Sequence, residues 1–389
     1  MDLPLPASGM PRWVPLSYLA FAHLGLGSAC AVTLWDSSLI AGFFYHSKMI
    51  AVVHTLTLGW ISSSLVGVLY VASARVGLRV GRLDVVILAA WCAGASGLVS
   101  HFWIEEFNGM TWSAGLLGLA ILMVAIRFGL AFAATDLPAG VRLQLNLAWL
   151  NLVGTAFIGI LIGFNKTSPV LPGYSLHNVF AHAHLAGLGW AFPQAMGLGH
   201  LFLLARRPGM PAPGLNLAGT ILIQLGTVGV FVSLLLGEPY VNLFGLVMAL
   251  GMLSGLASLV VHARTSLSKT ARTAGRVLSL AGVWLIAAAG IGVSELGAQD
   301  GGDPAWIMAY GVVGLLGGLG QAVCGLILLW LGHPRRVLLA VIGWSLATAL
   351  LAAGLGATAG LPIALGSAAL LLTLGWTSSS ILGGLRSHA

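Results

Sequence analysis

Apolar runs of about 20 residues follow one another along the whole 389-residue chain. A run of this length crosses the hydrocarbon core of a bilayer as an α-helix, because a helix rises about 1.5 Å per residue. Backbone groups in lipid must be paired within the protein, so the runs predict helices that pack together. The chain is therefore predicted to be an all-α polytopic membrane bundle of about twelve transmembrane helices. In chain order the predicted spans one to twelve are Trp13–Leu34, Met49–Ser73, Val85–Ile104, Trp112–Ala134, Leu143–Phe164, Val179–Ala205, Leu215–Gly237, Tyr240–Val261, Val277–Leu296, Ala305–Leu331, Val337–Gly356 and Leu361–Leu382.

Composition supports lipid as the solvent of this chain. Hydrophobic residues make up 58% of it and charged residues only 7%, whereas a soluble domain normally carries about 25% charged residues. The net charge of +7 is distributed over short loops instead of forming one basic face. We therefore expect the lipid bilayer as the partner of this surface and no nucleic-acid interface.

The basic residues predict the orientation of the bundle. Fifteen of the 17 fall on one side when the spans alternate, and only Lys48 and Lys166 fall on the other. Loops rich in lysine and arginine stay in the cytoplasm. Both termini are thus predicted to be cytoplasmic, and a bacterial inner membrane is the expected location. The opposite side is called the outer side below.

An internal repeat accompanies these spans. The pattern His-x-x-x-Leu-Gly-Trp begins at His54 in span two and again at His184 in span six, at an offset of 130 residues. A fainter third copy begins at Val312 in span ten, 128 residues further on. The repeat predicts one integral membrane domain made of three pseudo-repeated four-helix units, at about 1–139, 140–272 and 273–389.

Histidines inside the predicted spans are candidate ligands. His54 and His184 stand at equivalent positions in the outer half of the membrane, and His182 lies two residues from His184. Ionisable residues within a bilayer are costly and usually functional. Neutral imidazole is also the commonest protein ligand for metals and a usual axial ligand of haem. We predict that these three bind a cofactor; structural hydrogen-bonding histidines inherited through duplication are the alternative.

Three further histidines stand at the outer ends of spans. His46, His101 and His177 are predicted to lie near a common opening, where Glu105 and Glu106 would attract a cation. They are candidate metal ligands for an access site for copper or for a redox partner, and a solvated rim is the alternative. We expect solvation for the four histidines near the cytoplasmic arginines, His200, His262, His333 and His388.

The spans and the repeated histidine motif resemble a known family. Twelve spans in three four-helix units, with a His-x-x-x-Leu-Gly-Trp helix, are similar to the catalytic subunit of haem–copper oxidases. The likeness is greatest to the shorter, divergent members described as oxidase subunit I-like or NnrS-like membrane haem proteins. The resemblance implies that His54 ligates a low-spin haem, and that His184 or His182 is a copper ligand. Haem b and copper are the implied cofactors, and a respiratory or redox protein is the implied partner.

The chain departs from that family at the oxygen-reducing site. Spans seven and ten contain no histidine, and Leu188 occupies the position four residues after His184. The usual binuclear centre cannot be assembled, so oxygen or nitric oxide reduction by the family mechanism is not expected. The resemblance implies electron transfer, sensing or cofactor handling in the respiratory chain, and whether any reaction is catalysed stays open.

Two other functions stay open at this point. One is a membrane transporter or channel, which the absence of a mid-membrane carboxylate among the predicted spans disfavours. The other is an accessory subunit of a respiratory complex in which the histidines are structural.

Overall fold

The chain folds into helices throughout the residues that the structure describes. The structure is a computed structural model and describes residues 13–41, 45–72, 77–166, 168, 170–205, 209–237, 239–266, 269–296, 303–331 and 334–387. No strand occurs in these ranges. The predicted all-α polytopic fold is confirmed.

The helices succeed one another with short connections, and three of them contain a π-helical turn. In chain order they are α1 Trp13–Trp35, α2 Ser38–Ala41, α3 Ser47–His54, π1 Thr55–Ser62, α4 Ser63–Ala72, α5 Arg82–Ile104, α6 Phe107–Ala133, α7 Ala139–Asn165, α8 Ser175–His184, π2 Leu185–Ala191, α9 Phe192–Leu204, α10 Pro213–Leu236, α11 Val241–Arg264, α12 Lys269–Leu296, α13 Pro304–Val312, π3 Val313–Gly320, α14 Gln321–Leu331, α15 Pro334–Gly356 and α16 Gly360–Ser387.

Eleven helices of the described ranges are long and apolar enough to cross a membrane. Each coincides with a predicted span. The remaining predicted span, span six, is the continuous helix α8–π2–α9. It is long enough to span, but His182, His184, Gln194 and His200 lower its hydropathy. Every residue from 189 to 203 is buried, so this half of the helix is enclosed by protein and needs no apolar face toward lipid.

The described residues form two compact units. Unit 1 contains those within 1–18 and 65–265, and unit 2 contains those within 19–64 and 266–389. This division differs from the three pseudo-repeats of the sequence, which stay a prediction.

Unit 1 is built around aromatic rings that come from several helices. Trp190 packs on Trp149 with ring centroids 4.6 Å apart, and Trp149 stacks on Phe128 at 6.1 Å. Phe128 in turn meets the edge of Tyr70 at 5.1 Å, and Tyr70 stacks on Tyr18 at 5.5 Å. All five rings are buried. Aromatic pairs of this geometry add about 0.5–1.5 kcal/mol each beyond area burial, so they fix these helices in register.

A buried ion pair anchors one end of unit 1. Asp84, in the first turn of α5, is fully buried. Arg127 donates to both of its carboxylate oxygens, at 2.8 and 2.9 Å. The Tyr70 hydroxyl and the Gly81 amide donate to the same carboxylate, at 2.8 and 2.7 Å. Every acceptor position of the buried charge is thereby engaged, which is what makes its burial tolerable.

Unit 2 has its own stacked tryptophans. Trp60 in π1 stacks on Trp344 in α15 with ring centroids 4.8 Å apart. Gly25 of α1 lies so close to Gly59 that an added Cβ atom would be 3.0 Å from the Gly59 carbonyl carbon. At this crossing a side chain on α1 would push π1 away, so glycine permits the close approach.

Helices α10 and α11 of unit 1 provide the sharpest test of glycine packing. A Cβ atom on Gly251 would stand 2.5 Å from the backbone nitrogen of Ile223, and backbone cannot move aside as a side chain can. Gly245, on the same helix, has nothing within 4 Å of the equivalent position. Close helix contact therefore depends on the first glycine and not on the second.

We predict that Gly251→Ala lowers the free energy of unfolding by about 1–3 kcal/mol through overpacking. The matched variant Gly245→Ala should leave it unchanged or raise it slightly, because alanine favours a helix over glycine. Unfolding of the two variants in the same detergent measures the difference. Equal stability of the two variants would contradict this account of the α10–α11 contact.

Candidate cofactor site

Each copy of the sequence repeat coincides with a π-helical turn. His54 directly precedes π1, His184 directly precedes π2 and Val312 directly precedes π3. Single π turns within α-helices are rare and are found frequently at functional sites. Three of them at equivalent positions mark this place in the helix as the feature that the repeats share.

Side chains satisfy a backbone carbonyl in each of these turns. In a π turn a backbone N–H donates to the carbonyl five residues earlier instead of four. Some carbonyls of the turn therefore need a donor other than the usual backbone N–H. The Ser63 hydroxyl donates to the Leu58 carbonyl at 2.7 Å. The Asn151 amide donates to the Gly189 carbonyl at 2.8 Å, and the Trp344 indole N–H donates to the Leu316 carbonyl at 2.7 Å. The turns are thus held by specific polar contacts inside an apolar bundle.

The two repeated histidines have the same local geometry. Nδ1 of His54 lies 2.8 Å from the Ile50 carbonyl, and Nδ1 of His184 lies 2.8 Å from the Phe180 carbonyl. A carbonyl only accepts, so Nδ1 carries the proton and Nε2 carries the lone pair of the neutral ring. Metal-binding imidazoles usually donate their second N–H to such a group, which fixes tautomer and ring orientation. Both rings are half-buried.

His23 on α1 shares this arrangement outside the repeat. Its Nδ1 lies 2.7 Å from the Leu19 carbonyl. The ring borders a small cavity of unit 2 that Trp60, Cys324 and Trp344 also line. His23 lies outside the repeated motif. Every residue in a helix has a carbonyl four positions earlier, so the sequence around His23 does not indicate this contact.

The His182 ring lies against α7 and does not share the local geometry of His184. A Cβ atom on Gly159 would stand 2.9 Å from Cε1 of His182, so the His182 ring lies against α7 at that glycine. The two residues are two positions apart on one helix, which directs their side chains to different faces.

The outer histidines have structural contacts. His46 caps α3: its Nδ1 accepts from the Met49 amide at 3.3 Å, and its Nε2 donates to the Leu39 carbonyl at 3.0 Å. Both ring nitrogens are therefore used by the backbone. His101 lies 3.2 Å from a carboxylate oxygen of Glu106, at ion-pair distance.

The third of them, His177, meets the ring of Tyr174 edge-on with centroids 5.6 Å apart. Nowhere in the described ranges do three or more His, Cys, Asp or Glu side chains gather closely enough to hold a metal ion. The metal site at His46, His101 and His177 stays a prediction.

Lys166, one of the two basic residues predicted on the outer side, is partly enclosed at the end of α7. Its ammonium lies 5.1 Å from the centroid of the Phe107 ring. Burial lowers the pKa of Lys166 from its ordinary value, because desolvation disfavours the charged form.

Two histidines predicted to be solvated are buried instead. His200 and His262 have no exposed surface, and their rings stack with centroids 5.8 Å apart. Nε2 of His200 accepts from the Asn216 amide at 3.2 Å. Proximity to arginines in the sequence suggested a wet surface, but α9 is enclosed on all sides at His200. His333 and His388 lie outside the described residues.

Comparison with known proteins gives no assignment. No protein family matches the chain, and no curated protein is significantly similar to it in sequence.

The π2 turn depends on a single buried amide. We predict that Asn151→Leu lowers the free energy of unfolding by about 1–3 kcal/mol, because the Gly189 carbonyl loses its side-chain donor and the Gln224 amide loses its partner. Asn146→Leu is the matched control on α7, since the Asn146 amide only donates to the Arg142 carbonyl of its own helix. Thermal unfolding in detergent compares the variants. If both lose the same stability, Asn151 has no special role in the turn.

Proposed function

We propose that the chain is a membrane haem protein for electron transfer, in which His54 of unit 2 and His184 of unit 1 would each be a ligand of haem b iron. The observation that carries this proposal is the shared geometry of the two histidines. Each precedes a π turn, and each donates its Nδ1–H to the carbonyl four residues earlier. The Nδ1 hydrogen bond fixes the tautomer and the orientation of each ring, so Nε2 would be the coordinating nitrogen and ligation would cost less entropy.

The chemistry of the membrane interior favours this role. The third copy of the repeat has Val312 at the equivalent position, so a π turn of this kind does not require an imidazole before it. Retaining a polar ring in two of three equivalent positions supports a ligand role for those two. Haem iron would supply one-electron redox chemistry at this site. His54 and His184 would hold the iron, and the buried tryptophans that end the two motif copies, Trp60 and Trp190, would help to exclude water.

Haem fits the available ligands better than a copper centre does. The porphyrin supplies four nitrogens, so one or two imidazoles from the protein complete the iron coordination. A copper site built from protein alone needs a group of three or more side chains, as in other transition-metal sites. The described ranges contain no such group. The missing histidines of spans seven and ten also leave oxygen reduction out of this proposal.

Visible spectroscopy of single variants tests the ligand roles. We expect the purified protein to show a Soret band that sharpens and shifts on reduction with dithionite. His54→Ala and His184→Ala should each lose or change that band, because each removes an imidazole ligand. Val312→Ala, the same change at the third copy, should leave the spectrum unaltered.

Other outcomes of the same experiment count against the proposal. A wild-type protein without haem absorption, but with copper in elemental analysis, would replace haem by a copper site. Spectra that are identical in all three variants would remove both histidines from the site.

For the orientation, we propose a bacterial inner-membrane location with cytoplasmic termini, on the strength of the distribution of basic residues. Reporter fusions after Gly77 and after Glu105 should report the cytoplasm and the outer side respectively, because α5 separates these positions. The same location for both fusions would disprove α5 as a span, and exchanged locations would invert the proposed orientation.

A further inference from the structure

Helix α12 of unit 2 has one packed face and one exposed face. On the packed face, a Cβ atom on Gly317 of π3 would stand 2.8 Å from Cγ of Trp284, and Gly325 of α14 lies against the side chain of Val277. On the other face, the side chain of Val283 is 59% exposed. The exposed face of α12 is therefore available to a partner.

Three basic residues occupy the beginning of this exposed face. Lys269, Arg272 and Arg276 are three and four residues apart, which places them on one side of the helix, and all three are exposed. We call them the basic stripe. The first turn of α12 contains no acidic residue, and the positive end of the helix dipole adds to the charge of the stripe.

The basic stripe has no carboxylate near it along the chain. No Asp or Glu occurs between Glu238 and Glu295. Glu295 lies at the other end of α12, about 28 Å from Arg276 at 1.5 Å per residue. Neither Lys269 nor Arg276 makes an ion pair within the part of the chain that the structure describes. The stripe therefore presents its charge to an external anion.

Arg276 lies inside the membrane-crossing part of α12. This part begins at Ala271, so Arg276 is about 7.5 Å further along the helix axis. A charged side chain at that depth is costly unless it extends to the polar headgroup layer, where phosphate groups are the anions within reach. A guanidinium binds phosphate through two parallel hydrogen bonds, which suits Arg276 to this contact.

The same face continues beyond the basic stripe as an apolar surface. Steps of seven residues, which are close to two helical turns, lead from Lys269 to Arg276, to Val283 and to Gly290. We call Val283, Ala287 and Gly290, which are all exposed, the apolar stripe. A Cβ atom on Gly290 would meet nothing within 4 Å, so the surface there is open. A positive end followed by an open apolar surface matches a phospholipid, in which a phosphate is joined to an acyl chain.

We propose that the exposed face of α12 is a binding site for an anionic phospholipid, with the phosphate on the basic stripe and an acyl chain along the apolar stripe. The unneutralised positive charge favours a headgroup with a net negative charge over a zwitterionic one, whose amine would lie close to the arginines. A free phosphate would contact only the basic half of this surface. The site does not involve His54 or His184, so it stands apart from the function proposed above.

Native mass spectrometry of the protein in detergent tests this site, because it resolves single lipid-binding events. The protein is titrated with dioleoyl phosphatidylglycerol and, separately, with dioleoyl phosphatidylcholine, which has the same acyl chains. We expect the first phosphatidylglycerol to bind more tightly than the first phosphatidylcholine. Arg276→Gln should weaken phosphatidylglycerol binding about fivefold, the usual contribution of one basic residue near an anionic membrane surface. The double variant Lys269→Gln/Arg276→Gln should lose most of the preference for the anionic lipid.

Arg82→Gln is the matched control. It removes the same charge from an exposed position at the start of α5, at the end that the basic residues assign to the cytoplasm. Its affinity for phosphatidylglycerol should equal that of the wild type, and unchanged phosphatidylcholine binding in every variant reports an intact fold. Glycerol 3-phosphate, a headgroup without acyl chains, should not compete.

Four results would overturn the proposal. The wild type could bind the two lipids equally, or the double variant could keep the full preference. Arg82→Gln could weaken phosphatidylglycerol binding as much as Arg276→Gln does, which would make the effect one of overall charge. Glycerol 3-phosphate could also displace the lipid, which would replace the lipid site by a simple anion site.

Discussion

The structure depends on one constraint: inside a bilayer a polar group has no bulk water to bind and must find its partner within the protein. The polar groups of this chain obey it at a few defined places. Asp84 is engaged by Arg127, Tyr70 and the Gly81 amide. Carbonyls in all three π turns receive side-chain donors. These interior contacts pair the polar groups, so the outer surfaces of the spans can consist of apolar side chains.

The π turns connect the sequence repeat to the candidate chemistry. A histidine can occur at any position of an α-helix. In this chain, however, the repeated position directly precedes a π turn in every copy. The π turn follows a histidine in two copies and a valine in the third. The turn is therefore a structural feature of the repeat, and the imidazole is specific to two of its copies. This separation is why Val312 is an informative control, and why the proposed function follows from His54 and His184 and not from the fold as a whole.

The sequence predicts the positions of the helices, but it does not predict the π turns or which polar side chains are buried between helices. Span positions follow from hydropathy, which is a property of each segment alone, and even α8–π2–α9 is recognisable despite its polar residues. The π turns carry no local signal, since Leu-Gly-Trp and Leu-Gly-Gly are ordinary helix sequences, and their donors Asn151 and Trp344 are distant in the chain. The burial of His200 and His262 was missed for the same reason: what encloses a residue comes from other helices.

Iron K-edge X-ray absorption of the purified protein tests the central claim most directly, because it observes the ligands and not their consequences. The account predicts bound iron whose spectrum shows imidazole nitrogen at about 2.0 Å, the usual distance for first-row metals, and a loss of that contribution in the double variant His54→Ala/His184→Ala. The absence of iron from the wild-type protein, or an iron spectrum that the double variant leaves unchanged, would contradict it.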